Sequence, residues 1–302
     1  MTGERPLPTR SLDHCLGCGG RRLEPLPLRY EFRGLFPAVE CRDCGLRFLS
    51  VQPAAEALGE LYGSPYFERD FRCGRSATGY FREEAFRDEN RALLDGFARL
   101  CTPGRLLEIG CAGGWLLKHA LERGWEARGV ELSAEAVEHA QKLGLDVHHG
   151  DLAGARFPDS FFDLVYMGDV LEHVPDCRAV LAEVARVLKP AGFAYLRGPV
   201  TTNSLARRLA LRVYKFAGRP IVLREPPYHL WEFTPRSLVR LFRTAGLVPV
   251  RLRQSKIPPG RPHGEKTPLQ RGAMAMLDTI NVPITRVFNV LGDRVVLVAQ
   301  RR

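Results

Sequence analysis

The sequence predicts an α/β fold on a mostly parallel sheet, with a small cysteine-rich module in front of it. Three observations predict it. From about residue 100, short apolar runs alternate with amphipathic helical stretches, the pattern of strand–helix–strand units. The stretch Arg105–Leu117, RLLEIGCAGGWLL, reads as strand, glycine turn and helix. Two knuckles, Cys15-x-x-Cys18-Gly19 and Cys41-x-x-Cys44-Gly45, fall within the first fifty residues.

Length and charge set the outer limits. A chain of 302 residues, 45% of them apolar, can bury a full core and carry an extra module. No run of about 18 apolar residues occurs, so no membrane-spanning helix is expected. The opening MTGERPLPTR has no apolar stretch after its basic residues, and a cytoplasmic protein without a secretory signal is expected. Net charge is +10, unevenly spread. Residues 1–100 hold 15 basic and 15 acidic side chains, residues 101–200 hold 10 and 14, and residues 201–302 hold 19 and 5. The positive excess therefore lies in the last third, which points to one basic surface and an anionic small-molecule partner, phosphate- or nucleotide-linked.

In chain order, the knuckles come first. Each aims two thiolates at one point, with a glycine relieving the backbone after the second cysteine. Two such turns, separated by twenty-two residues, complete a tetrahedral S4 site of Cys15, Cys18, Cys41 and Cys44 suited to Zn2+. Disulfides are the alternative in an oxidising compartment, and iron fits the same donors. Four thiolates leave the metal no open position, so its role would be structural. Between the knuckles, Leu26, Leu28, Tyr30 and Phe32 alternate as in a hairpin strand. A ribbon this small lacks the core to fold unaided, and the metal would supply most of its stability. Cys73, Cys101, Cys111 and Cys177 are scattered and read as small buried hydrophobes.

Residues 51–100 form a helical connector, with helices expected over Pro53–Tyr62 and Tyr80–Leu100. The catalytic core is expected over residues 101–302. After the strand Arg105–Ile109 come a helix Gly114–Arg123, a strand Glu126–Glu131 and a helix Ser133–Leu143. The last of these opens on a capping box at Ser133, its glutamate one place early, and stops at Gly144. Asp146–His149, Phe162–Met167 and Gly192–Gly198 are the next strands, with a helix Cys177–Leu188 among them. Gly110, Glu131, Asp151 and Met167 fall at or just past strand ends, where sheets of this kind hold ligands. Glu131 lies twenty-one residues after Gly110 and can accept hydrogen bonds from both hydroxyls of a ribose.

Beyond the fifth strand of this series, residues 201–235 read as an insertion. Leu205, Leu209, Val213 and Phe216 make one helical face, with Arg207, Arg208, Arg212 and Lys215 elsewhere on it. Such a helix can lie on an anionic membrane; the favoured expectation is a cap over the active site. PPYHLWEFTP (Pro226–Pro235) follows, then a helix Pro235–Ala245. Leu247–Arg253 and Arg294–Gln300 read as the last strands, and Ser255–Asn281 between them reads as a weakly patterned loop.

The glycine turn is Glu108-x-Gly110-x-Ala112-x-Gly114, with an acid on the strand before the first glycine. Together with Asp151, DLVYM (Asp163–Met167), VLEHVPD (Val170–Asp176) and RVLKPAGFAYL (Arg186–Leu196), it resembles class I S-adenosylmethionine-dependent methyltransferases, with Ala112 where many members have glycine. The resemblance covers about residues 100–253 and resumes at the last strand; the knuckles and connector ahead of it are similar to bacterial sugar and secondary-metabolite methyltransferases. It implies a Rossmann-like seven-stranded sheet and S-adenosylmethionine as cofactor. It also implies that Asp151 accepts the adenine amino group, that Leu152 lies against the ring, and that Glu108 faces the glycine-turn amides or the cofactor's ammonium. Gly110, Ala112, Gly114, Glu131, Leu132 and Met167 complete the implied cofactor set, with Tyr66 or Tyr80 as contacts from the connector.

Methyl transfer from a sulfonium is an in-line displacement that requires alignment and exclusion of water, plus a base if the nucleophile is a hydroxyl. Asp169, His173 and His229 are the candidate bases. His229 is preferred because it lies in the segment that faces the acceptor in similar enzymes, whereas His173 belongs to a motif shared by members with very different acceptors. The expected reaction is methylation of a hydroxyl on a sugar or secondary metabolite. rRNA methylation is an alternative, disfavoured because the knuckle region is charge-neutral. A non-catalytic scaffold is another, disfavoured by the intact Glu108, Gly110, Gly114, Glu131 and Asp151.

Overall fold

A computed structural model describes residues 5–61, 83–256 and 268–302. Five short strands come first: β1 (Thr9–Ser11), β2 (Leu23–Glu31), β3 (Leu35–Cys41), β4 (Arg47–Leu49) and β5 (Val51–Pro53). Helices α1 (Ala55–Leu61) and α2 (Arg87–Ala98) follow. The alternating region runs β6 (Arg105–Ile109), α3 (Trp115–Leu121), β7 (Glu126–Glu131), α4 (Ala134–Lys142), β8 (Asp146–His149), β9 (Phe162–Gly168), α5 (Cys177–Val187) and β10 (Leu188–Pro199). The chain continues with α6 (Leu205–Phe216), β11 (Ile221–Leu223), β12 (Trp231–Glu232), α7 (Pro235–Thr244), β13 (Leu247–Ser255), α8 (Pro268–Phe288) and β14 (Arg294–Arg301). Tyr62, Tyr66, Cys73 and Tyr80 lie outside the described residues.

Seven strands form the larger sheet, in the order β13-β14-β10-β9-β6-β7-β8. The pairs from β8 through β10 are parallel, and β14 enters antiparallel between β10 and β13. This is the sheet the sequence predicts. Alternation along the strands feeds two cores. Leu107, Ile109, Val165 and Met167 point to one, and Leu106, Leu164 and Tyr166 to the other, as a sheet covered on both faces requires. The chain passes to β7 and β8 on one side of β6 and returns to β9 on the other, which opens a crevice at the carboxyl ends of β6 and β9.

The smaller sheet reaches beyond the module expected over residues 1–50. Its order is β11-β2-β3-β4-β12, so two strands of the insertion extend the cysteine-rich hairpins on both edges. β11 joins β2 in parallel, and β12 joins β4 antiparallel with Trp231 opposite Phe48. Their rings lie 5.6 Å apart, and Trp231 Nε1 donates to the carbonyl of Val174 at 2.7 Å. Phe36, Phe48, Trp231 and Leu241 share one core with the α5 face of the larger sheet. Paired edges and shared burial therefore support the module alongside any metal.

Three further differences have local causes. α6 does not cap the crevice: it packs on β2 and α8, and Lys215 pairs with Glu24 on β2. α8 occupies much of the stretch read as a loop; Gly272 and Pro283 inside it blur the helical period. At α4 only the Ser133 half of the expected box forms, with its hydroxyl accepting from the amide of Ala136 at 3.3 Å. The reciprocal box belongs to α7, where Thr234 and Ser237 cap each other. Among the described residues, no helix is long and apolar enough to cross a membrane.

Candidate active site and cysteine cluster

The crevice holds a cavity of about 440 Å3, within the size range of small-ligand sites. Its floor is the glycine turn after β6. Gly110 has φ +70, and a Cβ there would come within 2.5 Å of Val170, so only glycine fits. Ala112, which lines the cavity, also takes a left-handed conformation at φ +53, which accounts physically for the glycine common at this place in similar enzymes. Gly114 caps α3 with φ +85 and packs against Leu145 and Ala140, behind the cavity wall.

Two carboxylates meet at the floor from adjacent strands. Glu131, at the end of β7, is buried and accepts from the amides of Ala112 and Ser133, both at 2.9 Å. Burial raises its pKa while those amide bonds lower it. Glu108 is 7% exposed and lines the cavity. Its Oε2 is buried without a hydrogen-bond partner, and its pKa is pushed well up, first by burial and then by Glu131. The amide of Ala112 thus goes to Glu131 rather than Glu108, which leaves Glu108 in want of a cation or donor.

Asp151 reaches the cavity after β8, with Oδ1 accepting from the amide of Gly154 at 2.7 Å. Leu132, largely exposed, and Leu152, buried, line the same end. Met167 does not reach it. Its side chain lies in the core, and its neighbours Tyr166 and Gly168 line the cavity instead, as strand alternation dictates. Sequence reasoning also missed Arg197, which lines the cavity and pairs with Glu89 of α2. A charge inside the apolar strand FAYLRG was the available signal.

The three candidate bases are placed unequally. Asp169 lines the cavity, but Arg294 Nη2 lies 2.7 and 2.6 Å from its two oxygens. His173 lines the cavity as well. Its Nδ1 is 2.9 Å from the carbonyl of Tyr228, a bond that puts the proton on Nδ1 and leaves Nε2 with its lone pair. Burial, then His229, lowers its pKa to about 3, so it is neutral. His229 stacks edge-on against His173, ring centres 5.0 Å apart, and is not among the residues lining the cavity. Backbone bonds from Leu230 and Trp231 to the carbonyl of Glu172 tie β12 to this corner.

In the cysteine cluster, the four sulfurs lie within 4.8 Å of one another, with Cys15–Cys44 at 3.5 Å and Cys18–Cys41 at 3.6 Å. A tetrahedral Zn2+ with Zn–S bonds of about 2.3 Å needs sulfurs about 3.8 Å apart, so the donors fit. The knuckles match: Gly19 and Gly45 have φ +76 and +75, and each donates its amide to the carbonyl of the first cysteine of its own knuckle. Hydrogen bonding with Cys15 pulls the Cys44 thiol below its ordinary pKa and pushes Cys15 above it.

The profile of the methyltransferase domain family matches residues 81–252, more than half of the chain. The chain belongs to that family. Its parallel sheet and glycine turn are those of the class I S-adenosylmethionine-dependent methyltransferases. The ubiquinone biosynthesis O-methyltransferase of Ralstonia nicotianae is 32% identical over 161 residues, 49% of this chain and 65% of that protein. The enzyme of the same name from Methylococcus capsulatus is 30% identical over 154 residues, covering 47% and 62%. These matches span less than two thirds of the relatives' own length. A chain in the complex between the Haloferax volcanii Trm112 methyltransferase activator and a methyltransferase shares the fold, with a TM-score of 0.50 at 18% identity over 72% of this chain and 93% of that one.

Proposed function

We propose that this methyltransferase-family chain methylates a hydroxyl oxygen of a small molecule, with S-adenosylmethionine as donor. The observation that carries the reading is the pair of buried carboxylates, Glu108 and Glu131, opening on the same cavity as the neutral His173. The relatives' name, O-methyltransferase, supports oxygen as the acceptor atom.

When bound, the cofactor supplies a methyl group already activated by the adjoining sulfonium. The chain's own residues hold and align. Glu131 would take the ribose hydroxyls. The orphaned Oε2 of Glu108 suits the ammonium of the methionine end, the group best able to compensate a buried carboxylate. Asp151, its Oδ1 engaged with Gly154, would offer Oδ2 to the adenine amino group, between Leu132 and Leu152.

The base role passes from His229 to His173, which lines the cavity and whose ring the Tyr228 carbonyl fixes through Nδ1. A base this weak takes the acceptor's proton as the methyl moves, not beforehand. His229 holds the ring from behind, and Asp169, held by Arg294, lines the approach. The cysteine cluster holds one structural Zn2+.

The test is label transfer from methyl-labelled S-adenosylmethionine to a panel of phenols, sugars and nucleotide-linked sugars. We predict label on oxygen, and a kcat lower by about 10²–10⁴ in His173→Ala with cofactor affinity unchanged. A protein that does not bind S-adenosylmethionine would sink the proposal.

A further inference from the structure

A second opening, a groove of about 760 Å3, lies between the cysteine-rich module and the elements after β10. Arg47 and Gly45 come to it from the module, Arg208, Arg212 and Lys215 from α6, and Arg236 from the start of α7. Glu40 also lines it, paired with Arg47 at 2.6 Å, and Lys215 is matched by Glu24. Among the described residues, no carboxylate pairs with Arg208, Arg212 or Arg236.

The arginines are positioned. Asn203, 3% exposed, donates from Nδ2 to Gln254 Oε1 at 2.8 Å and to the carbonyl of Gly292 at 2.9 Å, which aims its Oδ1 at Arg208 Nη2, 2.5 Å away. Arg47 donates to the carbonyl of Thr202 at 3.3 Å. Burial lowers the pKa of Arg208, and Arg47 and Arg212 lower it further. Arg208 is therefore repelled by Arg47 from the module and by Arg212 one turn along its own helix, a cost that a bound anion would offset.

We propose that this groove binds the phosphate or diphosphate group of an organic phosphoester. Guanidinium forks match phosphate oxygens pairwise, and several converging on one opening suit more than a single negative charge. Leu26, Leu211 and Leu291 on the same groove provide apolar wall for the organic part. One wall belongs to the cysteine-rich module, outside the residues that match the family. The module then has a role beyond stability: it carries one wall of a binding site. The proposal stands independently of methyl transfer.

Calorimetric titration of the full, metal-loaded chain with inorganic pyrophosphate tests it. Binding should weaken at least about tenfold in Arg208→Gln/Arg212→Gln, and weaken as salt rises. S-adenosylmethionine affinity and melting temperature should not change. Arg99→Gln/Arg156→Gln removes the same charge from exposed positions away from the groove and should bind as wild type. Uridine diphosphate and phosphatidylcholine vesicles doped with phosphatidic acid then identify the source: whichever probe is sensitive to the groove variant carries the natural ligand's chemistry. No pyrophosphate binding by the wild type, equal weakening in the control variant, or displacement of pyrophosphate by S-adenosylmethionine would each overturn the assignment.

Discussion

The cofactor cavity and the basic groove draw on the chain in different ways. Glu108, Glu131 and Asp151 sit at the ends of three successive strands, β6, β7 and the neighbouring β8, each one helical crossover from the last. The groove instead brings Leu26 and Arg47 against Arg208, Arg236 and Leu291, residues well over a hundred positions apart. A site assembled from consecutive units survives as long as one sheet does. A site assembled across the whole chain depends on every element that closes it, and here that includes the cysteine cluster.

The largest expected effect follows from that dependence. Cys41→Ser, or removal of metal by a chelator, should release one zinc per chain and lower the melting temperature by about 10 °C or more, since losing a structural metal costs several kcal/mol. S-adenosylmethionine should still bind, because the cavity's carboxylates rest on the larger sheet. Metal analysis, scanning calorimetry and cofactor titration on one sample check this, and a parallel loss of cofactor affinity would break the contrast.

Next in size is Glu131→Ala. Two hydrogen bonds to a charged group should disappear, weakening S-adenosylmethionine binding by about 2–4 kcal/mol, roughly 30- to 700-fold. Pyrophosphate binding in the groove should not change. An unaltered cofactor Kd would remove Glu131 from the site.

The smallest effect sharpens the chemistry of the cavity. Burial, then Glu131, raises the pKa of Glu108 in the free protein, so its proton persists to higher pH than on an ordinary carboxyl. An ammonium beside it favours the ionised form and lowers that pKa, so binding releases a proton. Affinity should therefore rise with pH until the free-state pKa is passed, and level off above it. Titrations in buffers of different ionisation enthalpy would count the proton. Glu108→Gln should flatten the dependence; a variant retaining the full slope would assign the proton elsewhere.

The same contrast explains which parts of the molecule were legible in the sequence. β6, β7 and β8 were read to the residue because periodicity and turn chemistry are local, and Gly110 and Glu131 came with them. Met167 was misjudged because a strand end fixes a position, whereas only the pleat decides which face a side chain takes. The sequence favours His229 over His173 as base, because the Tyr228 carbonyl that holds the His173 ring comes from a distant segment and leaves no local sign. β11 and β12 are three and two residues long, too short for a period to show. They exist because β2 and β4 offer them edges. The placement of α6 followed the same rule: its sequence announced an amphipathic helix, and only the extended ribbon sheet told it where to lie.

Those two short strands also set an order of events during synthesis. β2 ends at Glu31 and its parallel partner β11 begins at Ile221, so 190 positions separate them. At ribosomal speeds of about 5–20 residues per second, the hairpins wait roughly 10–40 s with both edges open. Exposed edges invite pairing with the wrong chain. The four cysteines are complete by Cys44, long before either partner strand emerges. A metal captured then would act as a temporary clasp, holding the nascent hairpins in register until the chain returns to close them.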